Sequence, residues 1–173
     1  MYTKNELRPQ LKALRAALPD KAEKDAAILE RLLQETAFAQ TVFVYVSMAG
    51  EPDTHTFIRR TDKRVLVPHT ADGVMTARLY AGAPLMPDKL GNVGGQPYAG
   101  RIDCVIVPLL GFNAQLYRIG YGGGYYDRFL AQHDASTVGL AYEECACEFA
   151  PELHDIPLDR IITPNRTIVR SEY

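Results

Sequence analysis

The stretch Asp103-Cys104-Val105-Ile106-Val107-Pro108 runs from Cys104 to Val107 without a polar residue. A strand that meets water on one face alternates apolar and polar residues, because successive side chains point to opposite faces. A run that is apolar throughout belongs to a strand covered on both faces, as in the parallel sheets of α/β proteins. The same texture recurs in Val42-Phe43-Val44-Tyr45-Val46, Val65-Leu66-Val67-Pro68, Val138-Gly139-Leu140-Ala141 and Ile161-Ile162. Met75 to Tyr80 is a further candidate strand.

Helical patterns lie between these runs. Thr3-Lys4-Asn5-Glu6 has the S/T-x-x-E spacing of a capping box, and Leu7, Leu11, Leu14 and Leu18 follow as one apolar stripe. Pro19-Asp20 ends that helix and starts a second, in which Ile28, Leu29, Leu32, Leu33 and Phe38 keep the helical period. Thr54 is placed to cap a short helix through Arg60, and Tyr125 to Gln132 reads as another helix. Residues 81–101 are rich in glycine and proline and show little periodicity. A loop of that length in a compact domain is usually functional or mobile. Buried strands interleaved with helices predict a mostly parallel sheet covered on both faces, with ligands bound outside the carboxyl ends of the strands.

The totals narrow the function. A chain of 173 residues favours a single domain. The net charge of -2 argues against nucleic acid, whose phosphates select a clearly basic face. No apolar run approaches the about 20 residues that cross a bilayer, and Met1 to Glu6 lack the apolar core of a signal peptide. Cys104, Cys145 and Cys147 are an odd number, which suits a reduced, cytoplasmic chain.

Beyond the central strand lies Arg118-Ile-Gly-Tyr-Gly-Gly-Gly-Tyr-Tyr-Asp127-Arg-Phe-Leu130. The consecutive glycines Gly122, Gly123 and Gly124 leave backbone N–H groups unscreened at the start of a helix, where anions and phosphates bind. The pattern is neither a Walker loop nor the dinucleotide fingerprint, and a tight turn or a close helix–strand contact also explains it. Arg118 and Arg128 flank it, and arginine grips phosphate bidentately. Asp127 falls on the same helix face as Gly123 and Gly124. A carboxylate beside phosphates calls for a cation between them, and Mg²⁺ held by one carboxylate plus phosphate oxygens is the usual solution. None of the six lysines follows Lys89, so a lysine on the phosphates would have to come from the N-terminal half.

This string, downstream of DCVIVPLLGFN (103–113), resembles the 5-formyltetrahydrofolate cyclo-ligases, also called methenyltetrahydrofolate synthetases. TKNELRPQLKALRAAL (3–18) is similar to the family's N-terminal helix, YVSMAGEPDT (45–54) to its folate-site segment, Gln96-Pro97 to a motif of its central loop, and HDIPLDRIITPN (154–165) to its C-terminal strand. The resemblance implies a three-layer α/β/α sandwich. It also implies a reaction in which 5-formyltetrahydrofolate, ATP and Mg²⁺ give 5,10-methenyltetrahydrofolate, ADP and phosphate. By resemblance Lys4 and Arg8 reach the ATP phosphates, and Arg118 with Gly120, Tyr121, Gly122, Gly123, Gly124, Tyr125 and Tyr126 lines the nucleotide. Asp127 holds Mg²⁺. Glu51 meets the pterin edge, with Met48 and Tyr126 beside it. The resemblance implies a folate substrate with one or several glutamates, and the chain is expected to act as a cytoplasmic monomer. A non-catalytic relative, or an ATP-dependent enzyme with another small substrate, would share the nucleotide half. Departures from the family pattern are Asn113 for aspartate, Leu116 for glycine, and Pro164 for an acidic residue.

Weaker constellations read as structural. His133-Asp134 and His154-Asp155 suit surface charge or capping, with acid–base pairs or metal ligands as the alternative, and Cys145-x-Cys147 lacks zinc spacing. Arg59, Arg60, Lys63 and Arg64 form a basic cluster that reads as solvated, with the glutamate tail of folate as the alternative.

Overall fold

The computed structural model describes residues 2–89 and 91–171. The strands are β1 (Thr41–Val44), β2 (Arg64–Ala71), β3 (Val74–Leu79), β4 (Gln96–Pro97), β5 (Cys104–Pro108), β6 (Gly111–Phe112), β7 (Arg118–Ile119), β8 (Ser136–Leu140), β9 (Arg160–Ile162) and β10 (Thr167–Val169). The helices are α1 (Lys4–Ala16), α2 (Lys21–Glu35), α3 (His55–Arg60) and α4 (Tyr125–Leu130). The main sheet has the order β10-β9-β8-β5-β1-β2-β3-β4, while β6 and β7 pair separately. Its centre, from β9 through β8, β5 and β1 to β2, is parallel. Antiparallel strands finish both edges.

The apolar runs sit at that centre. Val42, Phe43 and Val44 of β1 and Cys104 to Val107 of β5 are fully buried. Val42, Val44 and Ile106 face the layer of α1, α2 and α3, with Leu11, Ile28, Leu32 and Phe57 packed on them. Phe43, Val105 and Val107 face the other layer, made of α4 and irregular segments around Leu158. Phe43 stacks on Phe129 of α4 with ring centroids 4.5 Å apart. The expected sandwich is present, but its second layer is thin.

Local chemistry explains most boundaries. The Thr3–Glu6 capping box closes as expected. Asp72 and Gly73 supply the two positive φ angles, 51° and 75°, that suit the tight turn between β2 and β3. Other boundaries differ from the expectation. α2 stops at Glu35, the Thr36 hydroxyl folds back onto the Leu32 carbonyl, and Phe38 lies outside the helix and exposed. Leu14 also faces solvent, so the buried stripe of α1 is carried by Lys4, Leu7, Leu11 and Arg15. Thr54 does not cap α3 with its side chain, because its hydroxyl donates to the Tyr45 carbonyl. Asp53 caps it instead, accepting from the His55 and Thr56 amides. α4 ends at Leu130, two residues early, and β6, β7 and β10 were too short to carry a periodic signal. Among the described residues no helix is long and apolar enough to cross a membrane.

Candidate active site

A cavity of about 500 Å³ opens beyond the carboxyl ends of β1, β2 and β5, where Val46, Pro68 and Pro108 form part of its wall. That is the expected end of a parallel sheet. The glycine-rich loop borders it, and α1 reaches it from the opposite end of the sequence.

α1 approaches through cations spaced along one face. Lys4 is 8 % exposed and forms an ion pair with Asp155. Arg8 donates from Nε to the Gly120 carbonyl at 2.8 Å. Arg15, buried, donates from Nη2 to the Tyr121 hydroxyl at 2.8 Å and from Nη1 to the Leu109 carbonyl at 3.2 Å. α1 thus brings Lys4 and Arg8 to the cavity that the glycine loop borders.

The loop uses its glycines in different ways. Gly122 and Gly124 hold φ of 100° and 66°, in the left-handed region that disfavours side chains. Gly123 is not in that region; a β-carbon there would meet the Tyr125 ring at 2.7 Å. α4 is only six residues long, so its dipole is weak, and the bare backbone rather than the helix is what the loop offers an anion. Arg128 turns away from the cavity. It lies over the Tyr125 ring, 5.0 Å from the centroid, and donates to the Gly73 carbonyl.

Asp127 is less free than its sequence position suggests. Its Oδ1 forms an ion pair with Arg118, 2.8 Å from Nη2, and accepts from the Ile156 amide at 3.3 Å. Arg118 itself is buried and also donates to the Ile156 carbonyl at 3.0 Å. The other carboxylate oxygen, Oδ2, has no hydrogen bond among the described residues.

Glu51 is 4 % exposed. Its Oε1 accepts from the Tyr121 hydroxyl at 2.6 Å and its Oε2 from the Met48 amide at 2.7 Å. Each oxygen keeps one lone-pair site for a ligand. Burial, with the Glu51 carboxylate next in effect, pushes the Tyr121 phenol well above its ordinary range, so it remains an O–H donor at neutral pH. Burial does the same to Tyr126. Met48 is exposed at the cavity rim.

Residues 1–164 match the 5-formyltetrahydrofolate cyclo-ligase family. The chain belongs to that family. It is 30 % identical to the 5-formyltetrahydrofolate cyclo-ligase of Escherichia coli strain K12 over 177 residues, covering 92 % of this chain and 97 % of that one. Its fold is similar to a 5,10-methenyltetrahydrofolate synthetase of Aquifex aeolicus, with a TM-score of 0.84, 25 % identity, and coverage of 98 % and 94 % respectively. A 5,10-methenyltetrahydrofolate synthetase structure from Mycoplasma pneumoniae gives a TM-score of 0.75 and 27 % identity, covering 94 % of this chain and 99 % of that one.

Leu116 and Asn113, two of the departures from the cyclo-ligase pattern, have local explanations, and nothing in the structure explains Pro164. Leu116 adopts φ of 63°, a conformation that glycine takes without strain, and its side chain is 1 % exposed. Asn113 is buried; its Oδ1 accepts from the Gln115 and Tyr117 amides and its Nδ2 donates to the Phe149 carbonyl. An aspartate could accept those first two bonds but could not make the third. Pro164 offers its carbonyl to Arg31.

Three residues at or beside the cavity have no role assigned to them from the sequence. Arg15 continues the spacing Lys4, Arg8, Lys12, and that spacing was the available signal. Asp155 shares the cavity and holds Lys4, and its ligand atoms lie within 4.8 Å of those of Glu152 and His154. The His154-Asp155 spacing by itself suits surface charge or capping as well as a metal or acid–base pair. Lys89 lines the cavity from the long loop, which is pinned to β2 by two bonds between Asn92 and the Thr70 backbone. The basic cluster is mostly tied up. Arg60 pairs with Glu30, Lys63 donates to the Ala39 carbonyl, and Arg64 donates to Thr41. Arg59 lines a shallow depression that shares Met48 and Glu51 with the main cavity.

Proposed function

We propose that this chain, acting as one domain, catalyses the ATP-dependent closure of 5-formyltetrahydrofolate to 5,10-methenyltetrahydrofolate, with ADP and phosphate released. Family membership supports the reaction. One geometric observation carries the site: Lys4 and Arg8 of α1 meet Gly120 to Gly124, Asp127 and Glu51 around one cavity. An amide oxygen leaves poorly, and phosphorylating the formyl oxygen turns it into a good leaving group. N10 of the folate then closes the ring and phosphate departs. Such a transfer needs positioning and charge neutralisation rather than a nucleophilic side chain.

In this reading Lys4, Arg8 and Arg118 neutralise the phosphates, and the amides of Gly120 to Gly124 cradle them. Tyr125 and Tyr126 wall the nucleotide. Glu51 accepts two hydrogen bonds from the amino-pyrimidinone edge of the pterin, using the lone pairs left by Tyr121 and Met48. The side chains fit a hard cation such as Mg²⁺, because among the described residues Asp127 keeps one carboxylate oxygen without a hydrogen bond and Asp155 faces the same space. When bound, Mg²⁺ supplies charge neutralisation between the phosphates and these carboxylates. Asp155 in the structure instead balances Lys4. The test mixes protein, MgATP and 5-formyltetrahydrofolate and follows the near-ultraviolet absorbance of the methenyl product. Equal product with and without nucleotide would sink the mechanism.

A further inference from the structure

Tyr121 stands where the glycine-rich loop meets Glu51. Its hydroxyl donates to Glu51 Oε1 and accepts from Arg15 Nη2. Lys12 Nζ and Arg15 Cζ, one turn apart on α1, lie 5.7 Å and 5.9 Å from its ring centroid. Arg15 is 7 % exposed and fixed at its other end by the Leu109 carbonyl, so its position is set by the core. The Glu51 loop runs beside it: a β-carbon on Gly50 would sit 3.7 Å from Arg15 Nε. Tyr121 itself is 42 % exposed, and among the described residues its hydroxyl is held by two side-chain hydrogen bonds, one to Glu51 and one from Arg15.

We propose that Arg15 is a positioning residue which, through Tyr121, orients the Glu51 carboxylate and makes nucleotide and folate binding cooperative. The inference rests on the reading that both ligands share this cavity. Tyr121 lies between Gly120 and Gly122, so whatever orders the loop orders its ring. Phosphates on the loop amides order the loop. Tyr121 then holds Oε1 so that its remaining lone pair points at the pterin edge. Folate returns the same factor to the nucleotide, because binding coupling is reciprocal.

The experiment measures the folate Kd by calorimetry, with and without a saturating β,γ-imido analogue of ATP. In the unaltered protein the analogue should tighten folate about fivefold or more, the lower end of ordinary coupling. Tyr121→Phe keeps the ring and its cations but deletes the hydroxyl. It should bring the coupling factor, the ratio of the folate Kd without and with the analogue, to about one. Arg15→Met should do the same, and Arg15→Lys should restore part of the coupling. A merely structural role would weaken both ligands and leave their ratio alone. Should Arg15→Met fail to fold, Tyr121→Phe decides. Full coupling in Tyr121→Phe, or none in the unaltered protein, overturns the relay while the reaction stands. A protein that binds neither ligand and forms no methenyl product removes the proposed function and the relay with it.

Discussion

Replacing Asp127 with asparagine tests two roles at once. Oδ1 of Asp127 carries the buried Arg118 guanidinium at 2.8 Å and the Ile156 amide at 3.3 Å. Asparagine preserves the shape and one acceptor oxygen but removes the charge. Hydrogen bonds to charged groups contribute about 1.5–3 kcal/mol against about 0.5–1.5 for neutral pairs. Arg118 stays charged, so the bond is weakened rather than lost, and about 1–2 kcal/mol is the expected cost. Deleting one partner of a fully buried pair costs about 3–5 kcal/mol. That is an upper bound, because the Asp127 side chain is 19 % exposed. In a chain of this size each kcal/mol moves the melting temperature by roughly 2–4 °C, so Asp127→Asn should melt roughly 2–8 °C lower. Circular dichroism melts of the ligand-free protein measure this arm. The second arm titrates Mg²⁺ at saturating ATP. A neutral amide is a poorer Mg²⁺ ligand than a carboxylate, so the half-saturating Mg²⁺ concentration should rise and turnover should fall. An unchanged melt refutes the ion-pair reasoning. An unchanged Mg²⁺ dependence refutes the metal assignment and leaves Asp127 as the anchor of Arg118.

Lys4→Ala should weaken ATP binding roughly ten- to a hundredfold by calorimetry, the equivalent of one charge-assisted bond; unchanged affinity would place Lys4 off the phosphates. Glu51→Gln should raise the folate KM far more than the ATP KM, by about 2–3 kcal/mol, since an amide oxygen cannot serve Tyr121, Met48 and both pterin donors. A raised ATP KM with an unaltered folate KM would reverse that assignment. Leu116→Gly pits two effects against each other. Relief of the left-handed backbone returns about 1–2 kcal/mol, while emptying a buried leucine site costs about 2–5 kcal/mol or more, so a net loss of about 1–3 kcal/mol is expected in urea unfolding. A variant as stable as the parent would show that strain, not packing, governs this position.

Much of this protein was legible in its sequence because the signals were local. Continuous apolar runs such as Val42–Val46 and Cys104–Val107 can be satisfied only by burial on both faces, so the parallel centre of the sheet follows from them. The Thr3–Glu6 box and the Gly122–Gly124 run are short-range chemistry, and each formed the helix start and the bare loop expected of it. The absence of lysine after Lys89 confined a phosphate-site lysine to the N-terminal half, and the resemblance named Lys4.

Only the tertiary structure decided the pairings. Lys4 and Asp155 are 151 residues apart, Arg15 and Tyr121 are 106 apart, and Tyr121 and Glu51 are 70 apart. Nothing in the periodicity of α1 says that Arg15 is buried while Leu14 is exposed. That choice depends on which neighbour supplies hydrogen bonds, and the neighbour comes from the β5 end and the glycine loop. The same holds for Asp127, whose place beside the glycines called for a cation but did not show that Arg118 and Ile156 would be brought against it. A charge can enter the interior only where folding delivers its partner, and that partner is not written beside it in the chain.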